Sequence, residues 1–153
     1  MAPIEAVPGT LIEVGRLWTL VLNHNQSLLG KCMIVLNREE TDAIRLTDEE
    51  WNALHHQTVR VKAALDSLFR PDHYNYAFLM NQDAQVHLHV IPRYEGTREW
   101  EGLQFHDADF GSISIVETRV LDLRTLSRLS ATISAALTKV GRPGKDEGAA
   151  PNS

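Results

Sequence analysis

Gln85-Val86-His87-Leu88-His89-Val90-Ile91, preceded by Tyr74-Asn75-Tyr76-Ala77-Phe78-Leu79-Met80 and the polar spacer Asn81-Gln82-Asp83-Ala84, is the stretch from which the fold can be read. From Gln85 onward polar and apolar residues alternate, the period of a strand with one buried face. The alternation places Gln85, His87 and His89 on one face and Val86, Leu88 and Val90 on the other, which is the core side. The aromatic run 74–80 reads as a second strand. The polar spacer reads as a tight turn that joins the two into a hairpin, and Pro92 closes the strand.

Working outward, residues 11–14 and 17–22 are apolar and β-branched around Gly15-Arg16, the pattern of another hairpin. Residues 23–30 are polar and end in glycine, so they form a loop, and 31–36 read as a third strand. Residues 37–46 have no clear period and connect to a helix. Thr47-Asp48-Glu49-Glu50 supplies the helix start, with Thr47 capping free N–H groups and Glu50 reaching back to the cap. Trp51, Leu54, Val61, Leu65 and Leu68 then make one apolar stripe as far as Phe69, and Pro71 bars continuation. Downstream, 95–111 read as irregular and 113–116 as a short strand. Leu126, Leu129, Ile133, Leu137 and Val140 mark a last amphipathic helix over about 123–138. The segment 141–153 has Gly, Pro and Ala but no large apolar residue, and reads as a disordered tail. The expectation is one α+β domain over 1–140, an antiparallel sheet of about five strands with helices packed on it.

The 153 residues suit a single domain, and a net charge of −5 lacks the basic excess of nucleic-acid or anionic-membrane binders. Cys32 is the sole cysteine, so no intrachain disulfide can form, and its apolar surroundings in 32–36 mark it as a core residue. No apolar run reaches the length of a membrane span, and residues 1–10 do not read as a secretory signal. The expected location is the cytoplasm.

The chemistry resides in the histidine face. A free imidazole has a pKa near 6.5, so it is mostly neutral near pH 7 and can attack phosphorus, provided that its other nitrogen donates to a carbonyl or carboxylate. The phosphoramidate formed is then open to water, which splits one hard displacement into two easier ones. Histidines at i and i+2 on a strand also occur as metal ligands. From His-Leu-His alone, metal ligation and an ordinary polar role rank level, with nucleophilic catalysis third.

The run Asn75-Tyr76-Ala77-Phe78-Leu79-Met80-Asn81-Gln82-Asp83-Ala84-Gln85-Val86-His87-Leu88-His89-Val90-Ile91-Pro92-Arg93-Tyr94 resembles the signature hairpin of the histidine triad (HIT) family, which carries His-φ-His-φ-His-φ-φ with φ hydrophobic, often followed by Pro-Arg. Leu22-Asn23, the loop ending in Gly30 and the apolar strand after it resemble the family's nucleotide-holding segment. The likeness covers about 11–95. It implies a homodimer acting on dinucleoside polyphosphates, nucleoside phosphoramidates or related nucleotidyl compounds through a covalent nucleotidyl-histidine. By resemblance His87 is the nucleophile, His89 contacts phosphate oxygens, Asn23 holds the ribose, and Asn81 approaches the phosphate. The resemblance implies a small-molecule nucleotide as partner, without nucleic acid or membrane. No cofactor is required, and magnesium enters with the substrate if at all. Two departures stand out. Gln85 occupies the place of the first histidine; it can orient His87 or hold a phosphate oxygen but cannot deliver a proton. Lys31 follows Gly30 where the family often has His; it can serve a phosphate or be a solvated strand residue. A metal-binding module and a non-catalytic nucleotide-binding protein remain the alternatives.

Other polar residues rank lower. His55 and His56 read as surface residues of the first helix, and His24 and His73 as turn residues, His24 being nearer the pocket. His106, Asp107 and Asp109 read as a solvent-exposed acidic loop. Arg93 can position phosphate or pair with a surface carboxylate. Trp51 and Trp100 read as packing residues, and Trp18 as a wall of the base pocket.

Overall fold

A computed structural model describes residues 8–112 and 119–141. The expected strand at 113–116, and the expected tail beyond Gly141, lie outside the described residues. Strands β1 (Leu11–Val14), β2 (Trp18–Leu22), β3 (Cys32–Leu36), β4 (His73–Ala77) and β5 (His87–Arg93) form one antiparallel sheet in the order β1-β2-β3-β5-β4. Helix α1 (Asp48–Phe69) links β3 to β4, and α2 (Leu123–Val140) follows at the C-terminal end. This is the expected α+β architecture.

Register explains the core. Leu22 pairs with Cys32 and Leu20 with Ile34 across β2 and β3, while Cys32 pairs with Val90 and Ile34 with Leu88 across β3 and β5. These side chains share one face and are all buried. Against them pack Leu54, Val61 and Leu65 of α1 and Leu126, Leu129, Ile133 and Leu137 of α2, all in one cluster. Each such burial is worth about 1.5–3 kcal/mol. The second face of the sheet is left for His87 and His89.

The helix start behaves as its sequence dictates. Thr47 Oγ1 accepts from the Glu50 N–H at 3.2 Å, and Glu50 Oε2 accepts from the Thr47 N–H at 2.8 Å. Arg38 also donates to Glu50 at 2.6 Å, so one carboxylate ties the connector to the helix. Trp51 departs from the expected stripe: it is 40% exposed and meets Phe78 edge to face, with ring centroids 5.8 Å apart. It marks the solvent margin of the apolar face.

Several boundaries differ from expectation. β4 ends at Ala77, and β5 begins at His87 and continues through Pro92 to Arg93. The joint is therefore a loop over 78–86 rather than a tight turn. Its second half is claimed by the connector instead of by β4: the Val86 N–H donates to the Glu40 carbonyl at 2.8 Å, and the Leu36 N–H to the Val86 carbonyl at 3.0 Å. Pro92 is tolerated because the β3 ladder ends at the Cys32–Val90 pair, so no carbonyl waits for its missing donor. Finally, 95–111 is not wholly irregular. Arg98–Trp100 (β6) and Leu103–Phe105 (β7) form a hairpin around Glu101 and Gly102, both with positive φ (47° and 77°), as the favoured two-residue turn requires.

Candidate active site

On the second face, cross-strand pairing sets Val35 beside His87 and Met33 beside His89. Val21 lies beside Met33, and Thr19 beside Val35. The result is an apolar floor carrying two imidazoles. His87 is buried and His89 partly buried.

The Nδ1 of His87 lies 2.7 Å from the backbone carbonyl oxygen of Gln85. A carbonyl only accepts, so Nδ1 carries the proton and Nε2 keeps its lone pair. That Nε2 lies 3.0 Å from Nε2 of His89. One proton must sit between them, and it belongs to His89, which donates to His87. The rings meet edge to face with centroids 4.7 Å apart. Burial, then the neighbouring His87 and Lys31, pushes the His89 pKa down to about 4. His89 is therefore neutral near pH 7, with its donor aimed at the His87 lone pair.

Gln85 lies in a bend just before β5. Its side-chain amide donates to the carbonyls of Leu36 at 2.8 Å and Arg38 at 2.6 Å, and its Oε1 accepts from the Glu40 N–H at 3.4 Å. The side chain thus clips the start of β5 to the connector, and the main-chain carbonyl of the same residue orients His87. Asn23 extends the histidine face beyond Val21. It is buried, its N–H donates to the Lys31 carbonyl at 2.9 Å, and its Oδ1 accepts from the Asn25 N–H at 2.9 Å. Asn81 lies in the exposed part of the 78–86 loop. The structure thus brings together His87, His89 and the Gln85 backbone, sets Asn23 farther along the same face, and places Asn81 at the loop surface.

Several lower-ranked expectations are corrected. Trp18 points to the helices, not to the site: it is buried, and its indole N–H donates to the Glu50 carbonyl at 3.0 Å. Arg93 is not free for phosphate, and Asp107 is not solvated. Their side chains are 3% and 2% exposed and joined by two bonds, at 2.7 and 3.2 Å. The remaining Arg93 donors reach Asn75 Oδ1 and the carbonyls of Ser112 and Asp109. Burial by itself would raise the Asp107 carboxyl pKa, but bonds from Arg93 and from the Tyr94 and Asp109 N–H groups outweigh it and hold the carboxyl below its ordinary value. Cys32 is buried, and burial pushes its thiol up to about 12, as an inert core residue requires.

One residue of the site region is not marked in the sequence. Gln26 is fully buried and braces the 23–31 loop: its amide donates to the carbonyls of Asn23 and Lys31, and its Oε1 accepts from the Gly30 N–H. Nothing distinguishes it from the other polar residues of that loop in sequence. Lys31, for which the sequence offers either a phosphate contact or a solvated strand position, lies on the histidine face, two residues before Met33. Among the described residues, no group of three His, Cys, Asp or Glu side chains gathers as a metal-binding set, so the metal-module alternative finds no third ligand there. Nor is any described helix long and apolar enough to cross a membrane.

No family model matches the chain, and no curated protein matches its sequence. Solved structures do match. A histidine triad protein from Sinorhizobium meliloti superposes with a TM-score of 0.65 at 21% identity, over 83% of this chain and 88% of that one. A hypothetical histidine triad nucleotide-binding protein from Sulfolobus tokodaii gives 0.67 at 12% identity, over 86% and 85%. A zinc-bound histidine triad family protein from Mycobacterium smegmatis gives 0.62 at 17% identity, over 89% and 88%. These matches extend over most of each chain, and they show that the chain has the histidine triad fold.

Proposed function

We propose that the chain is a histidine triad family enzyme that transfers nucleotidyl groups to water or another acceptor through a nucleotidyl-His87 intermediate. The substrate class is dinucleoside polyphosphates or nucleoside phosphoramidates. One observation carries the reading: the 2.7 Å contact of His87 Nδ1 with the Gln85 carbonyl, which leaves the Nε2 lone pair on the histidine face. The nucleotide-binding name of the Sulfolobus tokodaii structure agrees with it.

The α-phosphate lies over His87 and His89, with the ribose toward Asn23. His89 turns its N–H from the His87 lone pair to a phosphate oxygen. The His87 Nε2 pair then forms the N–P bond as the bond to the leaving group breaks, its electrons staying with the leaving group. The adduct ring is cationic, and the Gln85 carbonyl stabilises it through Nδ1–H. Water next attacks phosphorus; the N–P pair returns to Nε2, one water proton passes to solvent, and the nucleoside monophosphate departs. This chemistry calls for no cofactor, and magnesium arrives with a polyphosphate if at all. The chain acts as a homodimer in the cytoplasm.

Brief incubation with adenosine phosphoramidate or a diadenosine polyphosphate, quenching without acid, and mass spectrometry of the His87 peptide tests this. A nucleotidyl mass on His87 is expected, and His87→Asn should remove both adduct and turnover while the fold persists. Wild-type turnover by His87→Asn would refute the assignment. Tight binding of a nucleoside monophosphate without any adduct would favour a non-catalytic nucleotide-binding protein.

A further inference from the structure

The histidine face has a charge problem. A polyphosphate brings several negative charges, yet neither imidazole brings a compensating cation: His87 gives its proton to a carbonyl, and His89 is held neutral by burial. Arg93, the cation nearest in sequence, spends its donors on Asp107 and its neighbours. Lys31 is different. It is partly buried, and among the described residues no carboxylate pairs with it. It stands on the histidine face two residues before Met33, the cross-strand partner of His89; desolvation lowers its pKa, and its charge adds to the burial that disfavours protonation of His89. Its backbone is fixed on both sides, the carbonyl by the Asn23 N–H and the Gln26 amide, and the N–H by the Leu28 carbonyl. An unpaired cation half withdrawn from water is costly unless a ligand completes it.

We propose that Lys31 is a catalytic residue, its ammonium holding the oxygens of the departing phosphate when His87 takes the nucleotidyl group. The inference rests on the nucleotidyl-transfer reading and narrows it. The order along the face is His87, His89, Lys31, so a leaving group that runs along β3 from the α-phosphate meets the cation, while the ribose lies to its side, toward Asn23 after β2. A phosphate leaving group departs as an anion and needs a counter-charge rather than a proton. A cation at that place favours a leaving group that carries negative charge of its own, so the site is suited to phosphoanhydrides.

Two substrates that form the same adenylyl-His87 separate the possibilities. Diadenosine triphosphate releases ADP, whereas the p-nitrophenyl ester of AMP releases a nitrophenolate that carries no phosphate. Lys31→Met is expected to lose about a hundredfold in kcat/KM on diadenosine triphosphate, the cost of one transition-state donor, and at least about tenfold less on the ester. Lys31→Arg should recover most of the loss, and Lys31→Gln offers a second neutral variant should Met perturb the fold. Equal losses on the two substrates, or no loss on either, overturn the role of Lys31. If the wild-type protein forms no His87 adduct even with the ester, nucleotidyl transfer itself fails and this inference falls with it. An adduct without a selective Lys31 effect sinks the inference alone.

Discussion

Replacing Asp107 by Asn removes one charge from the most deeply buried ion pair described in the molecule. The Arg93 and Asp107 side chains are 3% and 2% exposed, and two direct bonds join them. An exposed pair would be worth about 0–1 kcal/mol. Here the surviving guanidinium stays out of water without a counter-ion, a situation that costs about 3–5 kcal/mol. For a domain of this size the loss corresponds to a fall in Tm of about 6–20 °C. Thermal unfolding by circular dichroism and urea titration measure it, with an unchanged m-value showing that the unfolded state is the same. Arg93→Lys should also destabilise, because a single ammonium cannot replace the guanidinium fork that reaches Asp107, Asn75 and two carbonyls at once. The pH dependence has a definite sign. The Asp107 pKa is depressed in the folded state, so its contribution is complete above the unfolded carboxyl pKa and disappears as pH falls through the lower folded value. If Asp107→Asn shifts Tm by under about 2 °C, a change worth no more than 1 kcal/mol, the pair is an ordinary surface contact and the reasoning is wrong.

His89 is lowered to about 4 in the folded protein, so the unfolded chain binds more protons between that value and 6.5. Wild-type stability should therefore fall as pH drops across this window, and His89→Asn should show a shallower fall; parallel urea midpoints from pH 7 to pH 4 would refute this. Gln85→Ala should cost about 1–3 kcal/mol by removing three bonds to the connector. It should keep measurable turnover, because the carbonyl that orients His87 remains; urea unfolding and a rate assay on the same preparation check both halves.

The segments that could be read in sequence are those whose local chemistry and tertiary role agree. The Thr47–Glu50 capping box and the alternation from His87 to Val90 are such cases, and both were legible. Trp18 was not, because every residue of β2 is buried, so alternation could not say which face meets the helices. The β6–β7 hairpin was hidden because Glu101, a non-glycine residue, takes a positive φ at its turn. Asp107 read as solvated because its partner Arg93 lies on another element and the sequence does not join them. Within the site, the paired histidines were visible and the source of their orientation was not. A backbone carbonyl leaves no mark in the residue code, and the clip made by Gln85 depends on where the connector passes.

The bond between the two imidazoles has a consequence for the idle protein. While it holds, the attacking electron pair is occupied, so an uncharged electrophile that drifts onto the face finds a masked nucleophile. An anionic oxygen changes this, because it competes for the His89 proton and frees the pair as it docks. The group to be attacked is then also the key that unlocks the attacker, which gives the reaction chemical selectivity before any part of the base or sugar has been inspected.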